Sequence, residues 1–197
     1  MIRTFLKVSG AVDNLTDWIG RLVKWLVLAA IVIGASNAVV RYGLHISSNA
    51  WLEMQWYLGS AVFLLSGAYA LRHNQHVRVD VVSSRFGPQT RAWIEIFGTL
   101  FLLFPMVGIV LLHSWPVFVD SYQSGEVSTN ANGLILWPAR LLVPVGFFFL
   151  AIQGGSEIIK RVGFLAGLAP DPGEKSQEKT SEEQLAEDIK RQIGASK

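Results

Sequence analysis

The long runs of uncharged, mostly apolar residues are the feature that most constrains how this chain can fold. Residues 54–71 form a run of 18 positions without a charge, near the lower limit for a helix that crosses a hydrocarbon core about 30 Å thick. Similar runs cover residues 25–40 and 96–112, and another apolar segment begins at Pro138. The pattern predicts an all-α polytopic membrane protein with four transmembrane helices.

Composition agrees with this class. Of the 197 residues, 51% are hydrophobic and only 16% are charged, whereas a soluble domain carries about a quarter charged residues. The net charge of +2 is too small to indicate a nucleic-acid partner. The chain has no cysteine, which excludes disulfides, thiolate metal sites and cysteine nucleophiles.

The segment 1–22 is predicted to be an amphipathic helix. Its apolar side chains recur at alternating intervals of three and four, at Phe5, Val8, Val12, Leu15, Ile19 and Leu22. Because a membrane span follows, we expect this helix to lie along the membrane interface. The alternative is that it extends the first span into water.

The rest of the chain divides into a membrane domain, residues 23–162, and a polar cytoplasmic tail, residues 163–197. The four spans are expected at about residues 24–42, 50–71, 89–113 and 138–160. Pro105 predicts a kink in the third span and Pro144 a bend in the fourth. For the tail, a short surface helix and disorder both stay open.

The positions of Lys and Arg predict the topology. The N-terminal segment carries four, the first loop one, the second loop four, the third loop one and the C-terminal segment seven. Since cytoplasmic segments are enriched in these residues, both termini and the second loop are expected in the cytoplasm.

The titratable residues offer few candidates for chemistry. No metal-ligand spacing, phosphate loop or nucleophile elbow occurs, so no catalytic, cofactor-binding or metal-binding residue is predicted. The four histidines permit a haem-bearing anchor subunit of a respiratory oxidoreductase as the alternative function. Haem ligands usually project from within helices, whereas all of these lie at helix ends or in loops: His45, His73, His76 and His113.

Two carboxylates lie near the membrane, where an ionisable group indicates a functional role. Glu95 follows Arg91 by four residues, which predicts a local pair. Glu53 has no partner in its own helix, so we expect a contact with Arg41, Arg140 or another subunit.

Polar groups are sparse within the spans. They do not make a substrate cavity, which favours a membrane anchor or scaffold subunit over a conduit or an enzyme. A small self-assembling transporter or channel is a further alternative. The polar positions are Ser36, Asn37, Ser60, Ser66, Thr99 and Gln153.

Several motifs carry a family resemblance. Glu53, the stretch 67–72 and His76-Val-Arg78-Val-Asp80 resemble the small membrane subunit (DctQ type, or Q component) of TRAP transporters, the tripartite ATP-independent periplasmic carriers of organic acids. The stretches 125–133, 137–138, 142–147 and 153–160 are similar to one branch of that family. The resemblance covers roughly residues 15–162.

The resemblance implies a function without catalytic residues. A soluble periplasmic protein captures the substrate, and a large membrane subunit moves it across the bacterial inner membrane with a sodium gradient. The small subunit packs against the large one and widens its stationary scaffold. The candidate partner-interface or structural residues are Arg41, Glu53, His76, Arg78, Asp80, Glu126, Trp137 and Arg140.

The turn from His76 to Asp80 permits two roles. In one, Arg78 and Asp80 contact the large subunit or a lipid phosphate at the cytoplasmic end of the second span. In the other, Arg78 only enforces topology and Asp80 only caps a short helix.

Overall fold

The computed structural model describes residues 2–45, 48–73 and 86–170, and within these ranges it contains helices and no strand. In these ranges the chain forms four helical rods. The helices are α1 (Ile2–Gly43), α2 (Asn49–Arg72), α3 (Pro88–Gly98), α4 (Phe104–Ser124) and α5 (Trp137–Leu165). A π-helical turn, Thr99–Leu103, joins α3 to α4 without a break.

Three helical segments are long and apolar enough to cross a membrane: Phe5–Gly43, Pro88–Ser124 and Trp137–Leu165. They confirm the all-helical class, and three of the predicted spans fall inside them, while the boundaries of those spans stay predictions. With 24 residues, α2 has sufficient length, but its several polar positions lower its hydropathy. The count of four spans therefore stays a prediction.

The predicted segment 1–22 and the first span form one continuous helix, α1. It has 42 residues and is about 63 Å long, roughly twice the thickness of a hydrocarbon core. Most of its apolar stripe points outward: Phe5 and Val8 are exposed, whereas Ile19 is buried together with Ser9 and Thr16. A helix with apolar side chains on its outer face and polar ones on the face that contacts the bundle is suited to a lipid environment. The interfacial position of residues 1–22 stays a prediction.

Among the described helices, α5 is the central element of the fold. It packs against α1, α2, α3 and α4. At its crossing with α2, a Cβ atom on Gly146 would lie 2.8 Å from the Cβ of Leu64 and 2.9 Å from the carbonyl oxygen of Leu64. Glycine is thus needed for the two backbones to approach this closely.

Proline explains the irregular turn in the third rod. Pro105 has no N–H, so it cannot bond the carbonyl four residues before it. The preceding turn widens instead, and the N–H of Phe104 bonds the carbonyl of Thr99 in the π-helical pattern. In contrast, α5 continues through Pro144 as a single helix.

Candidate functional site

Polar side chains gather in two clusters at opposite ends of the bundle. The first surrounds Glu53, in the first turns of α2. Its carboxylate accepts hydrogen bonds from the hydroxyl of Ser128, from Nδ2 of Asn130 at 2.8 Å and from the N–H of Leu134 at 2.6 Å. The expected pair with Arg41 or Arg140 was therefore wrong, because the loop between α4 and α5 supplies the partners of Glu53 within the chain. A contact with another subunit stays a prediction.

That loop, residues 125–136, is closed by its own backbone. Val127 and Ile135 form an isolated antiparallel bridge. The N–H of Ser128 donates to the carbonyl of Leu134 at 2.9 Å. The left-handed conformation at Gly125 (φ 60°) turns the chain out of α4.

Two further bonds attach the loop to α2. Nδ2 of Asn49 donates to the carbonyl of Ala131 at 3.0 Å, and the hydroxyl of Tyr57 donates to the carbonyl of Ile135 at 3.0 Å. Together with Glu53 they hold the loop against the first two turns of α2.

Three other predicted site residues make contacts at the start of α5. Arg140 binds Glu126 through both terminal guanidinium nitrogens, Nη2 at 2.9 Å and Nη1 at 2.6 Å, a bidentate geometry. The ring of Trp137 meets Tyr122 edge-on, with centroids 5.6 Å apart. These contacts connect the end of α4, the loop and α5.

The remaining predicted residues stand apart from this cluster. Arg41 is exposed in the last turn of α1. His76, Arg78 and Asp80 lie outside the described residues, so both roles considered for them stay predictions.

Changing Glu53 to Gln should loosen the loop. The amide loses the negative charge that three donors share, so we expect the N–H of Leu134 to exchange with deuterium roughly tenfold faster. Hydrogen-exchange mass spectrometry of the full chain measures this rate. Asp120→Asn, which neutralises an exposed acid in α4, is the matched control. Equal exchange over residues 125–136 in both variants would contradict the role of Glu53.

The second cluster, here called the polar core, joins α1 to α5. The hydroxyls of Ser9 and Ser156 are 2.7 Å apart. The hydroxyl of Thr16 donates to Oε1 of Gln153 at 2.7 Å, and Nε2 of Gln153 donates to Asp13 at 3.0 Å. Gln153 is completely buried, and its amide spans the contact between the two helices.

Ion pairs extend the polar core. Lys160 lies 3.1 Å from Asp13 and also pairs with Glu157. Arg161 lies 2.6 Å from Glu157 and also pairs with Glu95. Each charge is therefore compensated by an opposite charge inside the bundle.

The end of α2 joins the same network. Arg72 pairs with Asp17 and donates to the carbonyl of Asp13. Nε2 of His73 lies 3.3 Å from Asp17, and its ring packs on Tyr69 with centroids 4.2 Å apart. The network thus connects α1, α2, α3 and α5.

Comparison with known proteins agrees with a membrane subunit held together in this way. A protein-family model described as "Tripartite ATP-independent periplasmic transporters, DctQ component" matches residues 30–163. The chain belongs to this family. Neither the curated proteins nor the solved structures show a significant match.

Membership of the DctQ family confirms the resemblance read from the motifs. It identifies the chain as the small membrane subunit of a TRAP transporter, a multi-pass inner-membrane protein and a transporter component rather than a member of an enzyme family. The family gives no support to the haem-bearing anchor. Within the described ranges, no three residues among His, Cys, Asp and Glu form a group suited to a metal ion.

In this DctQ-family chain, the spacing of residues within single helices did not predict which charged side chains pair. The local pair of Glu95 and Arg91 was wrong: Glu95 pairs with Arg161, and Arg91 donates to the carbonyl of Phe86. The polar contact between α1 and α5 could have been predicted from two stripes of polar residues at helical spacing. They are Ser9, Asp13 and Thr16 in α1, and Gln153, Ser156, Glu157 and Lys160 in α5.

Proposed function

We propose that this chain is the scaffold subunit of a sodium-driven TRAP transporter that imports organic acids. It would pack against the large transport subunit, while a soluble periplasmic protein delivers the substrate. The main support is the pairing in the polar core: charged and amide groups of the described helices bind one another within the chain. Carriers instead turn midplane polar groups and broken helix ends toward the substrate.

The outer surface supports the same proposal. In the most apolar window of the first candidate span only 6% of residues are buried within the chain, and in the Pro88–Ser124 span only 11%. These faces are available to lipid and to the large subunit, whereas the corresponding window of α5 is 33% buried.

We also propose four spans with both termini in the cytoplasm. The contact of Arg72 with Asp17 brings the end of α2 beside the first half of α1, so α2 runs antiparallel to α1. Its 24 residues extend about 36 Å, enough to cross the hydrocarbon core. Residues 1–22 would meet the cytoplasmic interface, and residues 163–197 would form a cytoplasmic tail.

The subunit alone should not transport. Purified protein reconstituted into vesicles with an inward sodium gradient should take up labelled organic acids no faster than empty vesicles. Vesicles that also contain the large subunit and receive the loaded binding protein are the positive control. Specific uptake by the subunit alone would overturn the scaffold proposal.

Reporter fusions test the topology. Fusions at Lys197 and after Gly87 should both report the cytoplasm, and a fusion near Asn130 should report the periplasm, because Lys and Arg accumulate on the cytoplasmic side. A periplasmic signal after Gly87 would contradict four spans.

A further inference from the structure

A cavity of about 470 Å³ lies between α1 and α2. Asn14, Asp17, Arg21 and Lys24 line it from α1, and Tyr69 and His73 from α2. The four α1 residues follow one another at intervals of three, four and three, so they share one face of the helix. The cavity adjoins the polar core through Asp17 and His73, but it contains cations that the core does not use.

The charges of this lining are unbalanced. Asp17 is already engaged by Arg72 and His73. Arg21 and Lys24 make no ion pair or side-chain hydrogen bond to any other residue that the structure describes. Two positive charges therefore face the cavity without a counter-charge among the described residues.

Tyr69 packs closely on α1 at this cavity. A Cβ atom at Gly20 would collide with the ring of Tyr69, so the ring lies directly on the backbone of α1. This contact brings the two helices together at the cavity, which Arg21 and Lys24 also line.

The residues around the cavity indicate a position at the membrane surface. Lys24 directly precedes the uncharged run 25–40. Trp18 and Trp25 are 56% and 69% exposed, and exposed tryptophans are enriched where headgroups meet acyl chains. Basic pockets between membrane helices on the cytoplasmic side bind acidic headgroups.

We propose that this cavity binds the phosphate headgroup of an anionic phospholipid. Arg21 and Lys24 would pair with the phosphate, and the amide of Asn14 would supply a neutral donor. The acyl chains would follow the apolar face that continues from Arg21 through Trp25 and Leu28, both exposed. The proposal needs only a membrane-embedded chain and is independent of the transported substrate.

Native mass spectrometry of the full chain in a neutral detergent tests the site. The protein is titrated separately with phosphatidylglycerol, phosphatidylcholine and inorganic phosphate. Wild type should retain one phosphatidylglycerol at least about fivefold more tightly than phosphatidylcholine, because only the former carries a net negative charge. Inorganic phosphate, which lacks acyl chains, should neither bind nor displace the lipid at the same concentration.

Substitutions of the lining residues test whether the lipid binds in this cavity. Arg21→Gln and Lys24→Gln should each weaken retention of phosphatidylglycerol about fivefold, the effect of one cation near an anionic headgroup. Lys7→Gln removes the same charge from an exposed position of the same helix outside the cavity. It should change retention less than about twofold.

Several outcomes would overturn the proposal. Equal retention of both lipids by wild type, which needs no variant, excludes an anionic site. Displacement by inorganic phosphate would assign the cavity to a soluble anion, and equal weakening by Lys7→Gln would assign the binding to diffuse surface charge. A dimer that dissociates in the Arg21 and Lys24 variants would assign the cavity to a second copy of the chain.

Discussion

Replacing Arg161 by methionine should lower the free energy of unfolding by about 3–5 kcal/mol. The guanidinium lies 2.6 Å from the carboxylate of Glu157, and both side chains are only 5% exposed. It also pairs with Glu95 in α3. Methionine preserves much of the volume but leaves carboxylates without this cation in a setting that solvates charge poorly. Because Lys160 still contacts Glu157, the loss should fall toward the lower end of this range.

Denaturant unfolding of the full chain in detergent, followed by tryptophan fluorescence, measures this change. Arg41→Met removes the same group from an exposed position in α1 and should change stability by less than about 0.5 kcal/mol. Adding Glu157→Leu to Arg161→Met should recover part of the loss, since removing both buried charges is far less costly than removing one. Equal stability of the Arg161 and Arg41 variants would refute a buried pair.

Changing Gly146 to Ala should destabilise the fold by about 1–3 kcal/mol, the usual cost of forcing an extra carbon into a packed contact. The new Cβ would lie 2.9 Å from the backbone carbonyl oxygen of Leu64, which a rotamer change cannot relieve. The helices α2 and α5 would have to separate, which would weaken one of the two packing contacts, with α1 and with α5, that hold α2 in the bundle.

The same helix supplies the control for this change. A Cβ atom at Gly155 meets nothing within 4 Å. Gly155→Ala should therefore stabilise the protein slightly, by about 0.5–1 kcal/mol, because alanine favours the helix over glycine. Unfolding curves of the two variants should move in opposite directions. A parallel shift would show that the approach of α2 to α5 does not limit stability.

Local sequence patterns were sufficient for the class of protein and for most helix positions. The run 54–71 falls inside α2, Asn49–Arg72, and the fourth predicted span falls inside α5, Trp137–Leu165. The third span was expected to end near residue 113, but α4 continues to Ser124. Its last turns are amphipathic rather than uniformly apolar, so a criterion based on apolar runs stops too early.

The family was also readable from motifs, because those residues lie in a definite order along the chain. The family model matches residues 30–163, within and slightly beyond the region that carries the resemblance. Because the order of motifs is a property of the sequence alone, the family can be recognised without knowing which helices are in contact.

Tertiary structure decided which polar groups meet. Spacing within one helix gave Glu95 a neighbour at Arg91, but the structure pairs it with Arg161, 66 residues later. It likewise gives Glu53 partners about 80 residues away. Hydropathy and helical periodicity describe each segment by itself, whereas these pairs depend on the crossing and rotation of helices. Burial then strongly favours pairing, since an unpaired polar group inside the bundle is costly.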